Sequence, residues 1–325
     1  MDFITFFKDH WLAIAFLAPM FWAIVNIIDV YFVDGIYRDE LDGTIISGLF
    51  QIIPWSILFF VVNLKLSDIL NASTGLDKTL IISFAGGLLY TSAFYFYFKT
   101  LFNHNDVSML QVLWNLTIIA VPVLSFLFFR ETLPGFKYIG MAVVLLGATM
   151  LSFNAKLRSK FSAKYFWTMM GAVLFLSLSM ILEERAYNVL GETYGGQGFW
   201  LGFFFFSMGA FTAGALFAIY SKRNPLPLIK KYYKIFLLGE GIYFFGNLFS
   251  QKALDVAPSA SYVAVIETFV PVFILAYSLL ILFLFSAILR RKNETIKRIY
   301  SEQIGGIWVK VLATIIMAAG VYIIS

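Results

Sequence analysis

The sequence predicts an all-α polytopic membrane protein with ten transmembrane helices in two inverted five-helix repeats. Three observations carry that reading. Apolar residues make up 60 % of the 325 and charged residues only 13 %, whereas a soluble domain carries about 25 % charge, so most of this surface must be solvated by lipid. Ten apolar runs reach or approach the roughly 17–25 residues that a spanning helix needs. The second half of the chain also repeats the first.

The first run, Trp11–Val33, is too long for a signal peptide and no small-residue cleavage signal follows it, so it reads as a retained helix. Thr44–Val62, Thr79–Phe98, Val107–Phe129 and Phe136–Phe153 complete the first half. Tyr165–Leu182, Gly198–Tyr220, Ile235–Gln251, Ala260–Ile288 and Gly305–Ile324 make up the second. Turn residues separate the runs, as at Asp34-Gly35, Asp42-Gly43, Asn71–Gly75, Asn103–Asp106, Pro134-Gly135 and Asn224–Pro227. The runs are continuous and do not alternate with a period of two, which excludes a transmembrane β-barrel. Trp11, Trp167, Trp200 and Trp308 fall near run ends, where interfacial aromatics belong.

At a shift of 153 residues the third run lies on the eighth, so that Gly86 meets Gly239, Tyr90 meets Tyr243 and Lys99 meets Lys252. Ser108 meets Ser261 in the next pair of runs. The fifth and tenth runs match at a shift of 173, with Lys137 on Lys310 and Gly147 on Gly320. The halves are residues 1–155 and 156–325, and the second carries extra residues around Arg290–Arg298. Five runs per half is an odd number, so the second copy enters the bilayer upside down. Such inverted repeats mark secondary transporters, with the substrate site near the midplane between the copies.

Composition also excludes other chemistries. No cysteine is present, which removes disulfides, thiolate metal sites and cysteine nucleophiles. His10 and His104 both flank apolar runs, so a histidine-based zinc site or catalytic triad within the membrane is hard to build. No metal or cofactor is expected. The net charge of +5 sits between apolar runs and reads as an orientation signal, not a nucleic-acid surface. The expected partners are the bilayer, a small-molecule substrate and a coupling proton or cation, with the chain a monomer or weak homodimer.

A carboxylate at the bilayer centre costs about 2.5–3.5 kcal/mol on insertion scales and so needs a cavity, a partner or a proton. Asp29, Glu240 and Glu267 are such groups. Asn26 and Asp29 share one helix face. Glu267 stands one turn before Pro271, whose missing N–H frees a backbone carbonyl. Gln111, Trp114 and Asn115 occupy the matching stretch of the fourth run, Trp114 falling on Glu267, and Asn247 lies two turns after Glu240. In the functional reading these groups line one cavity walled by Trp114, Tyr90, Tyr243 and Tyr262. Asp29 and Glu267 then bind substrate amines or exchange protons. The alternative readings are that Asp29 and Glu240 snorkel to headgroups, that Glu267 packs helices, and that the aromatics are packing or belt. Gly198/Gly202 and Ala210/Gly214 have the small-xxx-small spacing of close helix packing.

Ala18–Ala23, Phe129-Arg130-Glu131-Thr132-Leu133, Lys137–Gly147 and Glu267–Phe273 together resemble the drug/metabolite transporter superfamily, specifically its ten-helix EamA-type members. Where the ninth run has Pro271, the matching residue of the fourth is Ile118, with Pro122 one turn on. The resemblance implies ten helices around a central cavity that moves small metabolites by alternating access. The expected protein is a multi-pass secondary transporter of a bacterial-type plasma membrane, read as an exporter of a polar or amphipathic metabolite. An intramembrane enzyme acting on lipid or peptide, or a channel or scaffold, is the alternative. Glu183-Glu184-Arg185 invites comparison with a membrane-peptidase signature but reads more simply as a solvated helix end. Counting Lys and Arg puts most of them on one face, including Arg38, Lys99, Lys222, Arg223 and Lys230, which favours both termini outside. The family resemblance favours them inside.

Overall fold

The computed structural model describes residues 10–60, 69, 78–104, 107–152, 163–284 and 306–325. These are helices joined by short turns, and no strand occurs among them. The helices are α1 (Trp11–Gly35), α2 (Glu40–Leu49), α3 (Ile52–Phe60), α4 (Lys78–His104), α5 (Val107–Trp114), α6 (Thr117–Phe129) and α7 (Gly135–Ser152). There follow α8 (Ala163–Tyr194), α9 (Gly198–Tyr220), α10 (Leu226–Val256), α11 (Ala260–Glu267), α12 (Val270–Phe283) and α13 (Ile307–Ile324). The Asn71–Gly75 turn, the Arg290–Arg298 basic stretch, the boundary at 155–156 and the end of the ninth run at Ile288 lie outside the described residues.

Among the described residues eight stretches are long and apolar enough to cross a membrane, and the chain is a multi-pass integral membrane protein. One of the eight, Ala163–Tyr220, holds both α8 and α9. Helix α10 falls outside the eight because Glu240, Asn247, Gln251 and Lys252 dilute its apolar content.

Thr44–Val62 is broken between α2 and α3, and two other runs that read as single spans are each broken in two in matching register. Between α5 and α6, Leu116 N–H donates to Leu113 O and Ile119 N–H to Leu116 O. Between α11 and α12, Phe269 N–H donates to Ile266 O and Val272 N–H to Phe269 O. These are the tight i→i−3 bonds of a 3₁₀ turn inserted in an α-helix. All four donors and acceptors correspond at the shift of 153. Pro271 explains the second break, since it cannot donate to Glu267 O. The first break forms with Ile118 in that place, so proline is not required for it.

Helices from the two halves interleave. Helix α4 packs on α8 and α9, α10 on α1, and α7 on α13. Close approach is needed where α2 crosses α9: a Cβ on Gly48 would lie 2.7 Å from Gly214 Cα. Gly202 fits against the Tyr187 ring. One member of each small-xxx-small pair therefore serves packing within the chain.

Trp11 stacks on Tyr262 at 6.0 Å, Lys137 Nζ lies 5.8 Å from the same ring, and Lys137 donates to Ile324 O at 2.8 Å. The start of α1 and the end of α13 thus share one face of the bundle. On the opposite face, Arg38 makes a forked pair with Asp42 (both bonds 2.8 Å), and Arg223 grips Asp39 with both terminal nitrogens. Asp42 beside Arg38, and Asp39 beside Arg223, push each guanidinium above its ordinary pKa, so both arginines stay charged in neutral solution.

Candidate functional site

A cavity of about 60 Å³ lies at the centre of the bundle, between α1, α4, α5, α8, α10 and α11. It holds a few waters and nothing larger. Asn26, Asp29, Tyr90, Gln111, Trp114 and Glu267 line it, so six of the residues named from sequence come together there.

Asp29 is 7 % exposed and does not snorkel. Its Oδ2 lies 3.1 Å from the Tyr97 hydroxyl, which is also 2.9 Å from Asn26 Oδ1. One hydroxyl carries one proton, so Tyr97 donates to one of the two at a time. Asn26 is held in place by its own amide, which donates to Trp22 O at 3.0 Å. Across the cavity, the Ser250 hydroxyl donates to Glu267 Oε1. Trp114 sets its ring against Tyr97 at 5.5 Å, edge to face.

The remaining residues lie elsewhere. Tyr243 stands behind the wall, packed on Trp22 at 5.1 Å and near Tyr90 at 6.4 Å. Glu240 is 5 % exposed and does not snorkel either; it faces the Ser47 hydroxyl of α2 at 3.4 Å. Asn115 and Asn247 are buried, and among the described residues neither amide finds a hydrogen-bond partner. Tyr262 belongs to the end of the bundle, under Trp11 and Lys137.

Glu183 and Glu184 correct the sequence expectation. Helix α8 continues to Tyr194, and the two acids are 0 % and 3 % exposed inside the bundle, not a solvated helix end. Glu183 Oε2 accepts from Ser83 of α4 at 2.7 Å, and its other oxygen occupies the notch left by Gly86. Arg185 pairs with Glu131 at 2.7 Å and lies over Phe129, while Ser259 donates to the other Glu131 oxygen at 2.8 Å. This network ties α8 to the end of α6 and the start of α11.

Tyr97, Ser250, Gln251 and Ser179 also line or serve the cavity and were not picked out from the sequence. Tyr97 and Ser250 stand 153 residues apart, and Asn26 and Ser179 do too. The repeat was therefore the signal that could have found them.

Among the described residues no cluster of three metal-ligating side chains occurs. The cavity can bind a small polar group between two carboxyls and an aromatic wall.

No protein-family model and no curated protein matches the chain. Among the solved structures, one described only as "Crystal structure of protein" is similar in fold, with a TM-score of 0.60 over 98 % of both chains and 15 % sequence identity.

Proposed function

We propose that the protein is a secondary transporter that carries a small polar or amphipathic solute through the central cavity by alternating access, as the drug/metabolite transporter resemblance implies. One observation carries the reading. Helices α5–α6 and α11–α12 are broken in the same register on either side of a small cavity holding two carboxyls. In inverted-repeat carriers the site is built where such discontinuous helices meet near the midplane.

Taking α2–α3, α5–α6 and α11–α12 as one crossing each gives ten crossings. The packing supports inversion. Exchanging the halves turns the α4–α8 contact into the α10–α1 contact, and both are broad. In the α7–α13 pair, a Cβ on Gly140 would meet Gly320 O and one on Gly147 would meet Ala313 O. Those two contacts are equivalents at the shift of 173. The 60 Å³ volume corresponds to a narrow state that must widen to admit a metabolite. The excess of Lys and Arg on the Arg38 face favours placing that face in the cytoplasm and both termini outside.

The test is to screen metabolites for thermal stabilisation of the purified protein, then measure counterflow of each hit in proteoliposomes. Wild-type protein should exchange at least one hit and Glu267→Gln should lose most of that exchange. Absence of counterflow for every stabilising solute would remove the transporter reading. Unchanged exchange by Glu267→Gln would remove Glu267 from the site.

A further inference from the structure

A second cavity, of about 1060 Å³, opens at the end of the bundle where α8 meets α9 and α10. It is large enough for a metabolite, as the central one is not. Its walls combine apolar surface, including Phe199, Trp200 and Phe249, with a Lys252–Asp255 ion pair. A surface of that kind suits an amphipathic solute.

The two cavities share helices α8 and α10, and one hydrogen bond joins the wall of one to the wall of the other. Tyr187 lines the outer cavity and Gln251 the central one. The Tyr187 hydroxyl donates to Gln251 Oε1 at 2.8 Å, and both residues are buried. The Tyr187 ring is fixed by Phe199 at 5.3 Å and by the Gly202 notch, where a Cβ would sit 2.6 Å from Cε1. Rotation of the Gln251 side chain can therefore open the connection while the tyrosine stays put. Beyond Phe94, which lines the central cavity, the bundle is packed with aromatic rings. Phe32, Tyr37, Phe98 and Phe236 interlock there, Phe98 and Phe236 being 0 % exposed.

We propose that the outer cavity is the mouth of the translocation path and that the Tyr187–Gln251 hydrogen bond is the partition closing it from the central cavity. The word "path" rests on the transporter reading; the partition is a matter of accessibility and is tested without transport.

The chain has no cysteine, so single cysteines report without background. Asn188→Cys places a thiol in the outer cavity and Ser179→Cys one in the central cavity. Each is reacted with a membrane-impermeant methanethiosulfonate in proteoliposomes. Asn188→Cys should react fast. Ser179→Cys should react at least about tenfold more slowly, and both Tyr187→Phe and Gln251→Ala should raise its rate by up to about tenfold, the worth of one hydrogen bond. Asn188→Cys should keep its rate in both backgrounds, which also reports that the fold is intact. A Ser179→Cys rate that neither substitution changes, that equals the Asn188→Cys rate from the outset, or that is faster from the Lys222 face would overturn the partition. Failure of counterflow with this labelling pattern intact would count against transport and leave the partition standing.

Discussion

Trp114 and Glu267 hold the same position in two broken helices: each is the last residue of the segment before the break, and both face the central cavity. The same backbone device thus presents an aromatic ring on one side and a carboxyl on the other. Trp114→Ala should widen the cavity and shift binding toward bulkier solutes. A metabolite thermal-shift screen of wild type and variant checks this, and identical hits from both would count against Trp114 as a size filter.

Among the described residues, Tyr97 is the side chain that donates to Asp29. Tyr97→Phe should therefore cost about 1–3 kcal/mol, the price of a buried acceptor left without its donor. Adding Asp29→Asn should cost less than the two single changes together, with a coupling of about 0.5–3 kcal/mol. Mixed-micelle unfolding of the four proteins measures it, and strict additivity would show that the contact carries no energy.

Gly48→Ala should destabilise by about 1–3 kcal/mol, because its methyl would enter the Gly214 backbone and push α2 off α9. Gly241→Ala is the matched control. Nothing lies within 4 Å of a Cβ there, and alanine is the better helix former by about 0.8–1 kcal/mol. The same unfolding measurement should move in opposite directions for the two.

Ser83→Ala should cost about 1.5–3 kcal/mol if Glu183 is ionised and about 1 kcal/mol if it carries a proton. Replacing both, Ser83→Ala with Glu183→Leu, should recover much of the loss, since an apolar pair of similar shape leaves no orphaned group. An infrared carboxyl band lost on Glu183→Gln would identify the protonated form; a carboxylate band lost instead would identify the ionised one.

The helices were legible because lipid-facing runs are continuous and long, and α1, α7, α9 and α13 fall within two residues of the expected limits at most described ends. The ends of α8 and α10 were not legible. A hydropathy reading stops at the first charges, and here Glu183 and Glu184 are carried inside by contacts with α4 and by the Arg185–Glu131 pair, which local sequence does not display. The break after Trp114 was hidden for a related reason: proline signalled its counterpart at Pro271, while Ile118 gives no sign. Tyr97 was hidden among 17 tyrosines and 37 phenylalanines, set apart only by its match to Ser250 at the shift of 153 and, in space, by its contact with Asp29.

The Ser83–Glu183 contact spans one hundred residues of chain. At a synthesis rate of about 5–20 residues per second, α4 waits roughly 5–20 s in the bilayer before α8 is made. During that interval its Ser83 hydroxyl and the bare backbone at Gly86 and Gly87 face lipid. A nascent chain halted before α8 would present that unfilled groove to whatever quality-control machinery surveys the membrane.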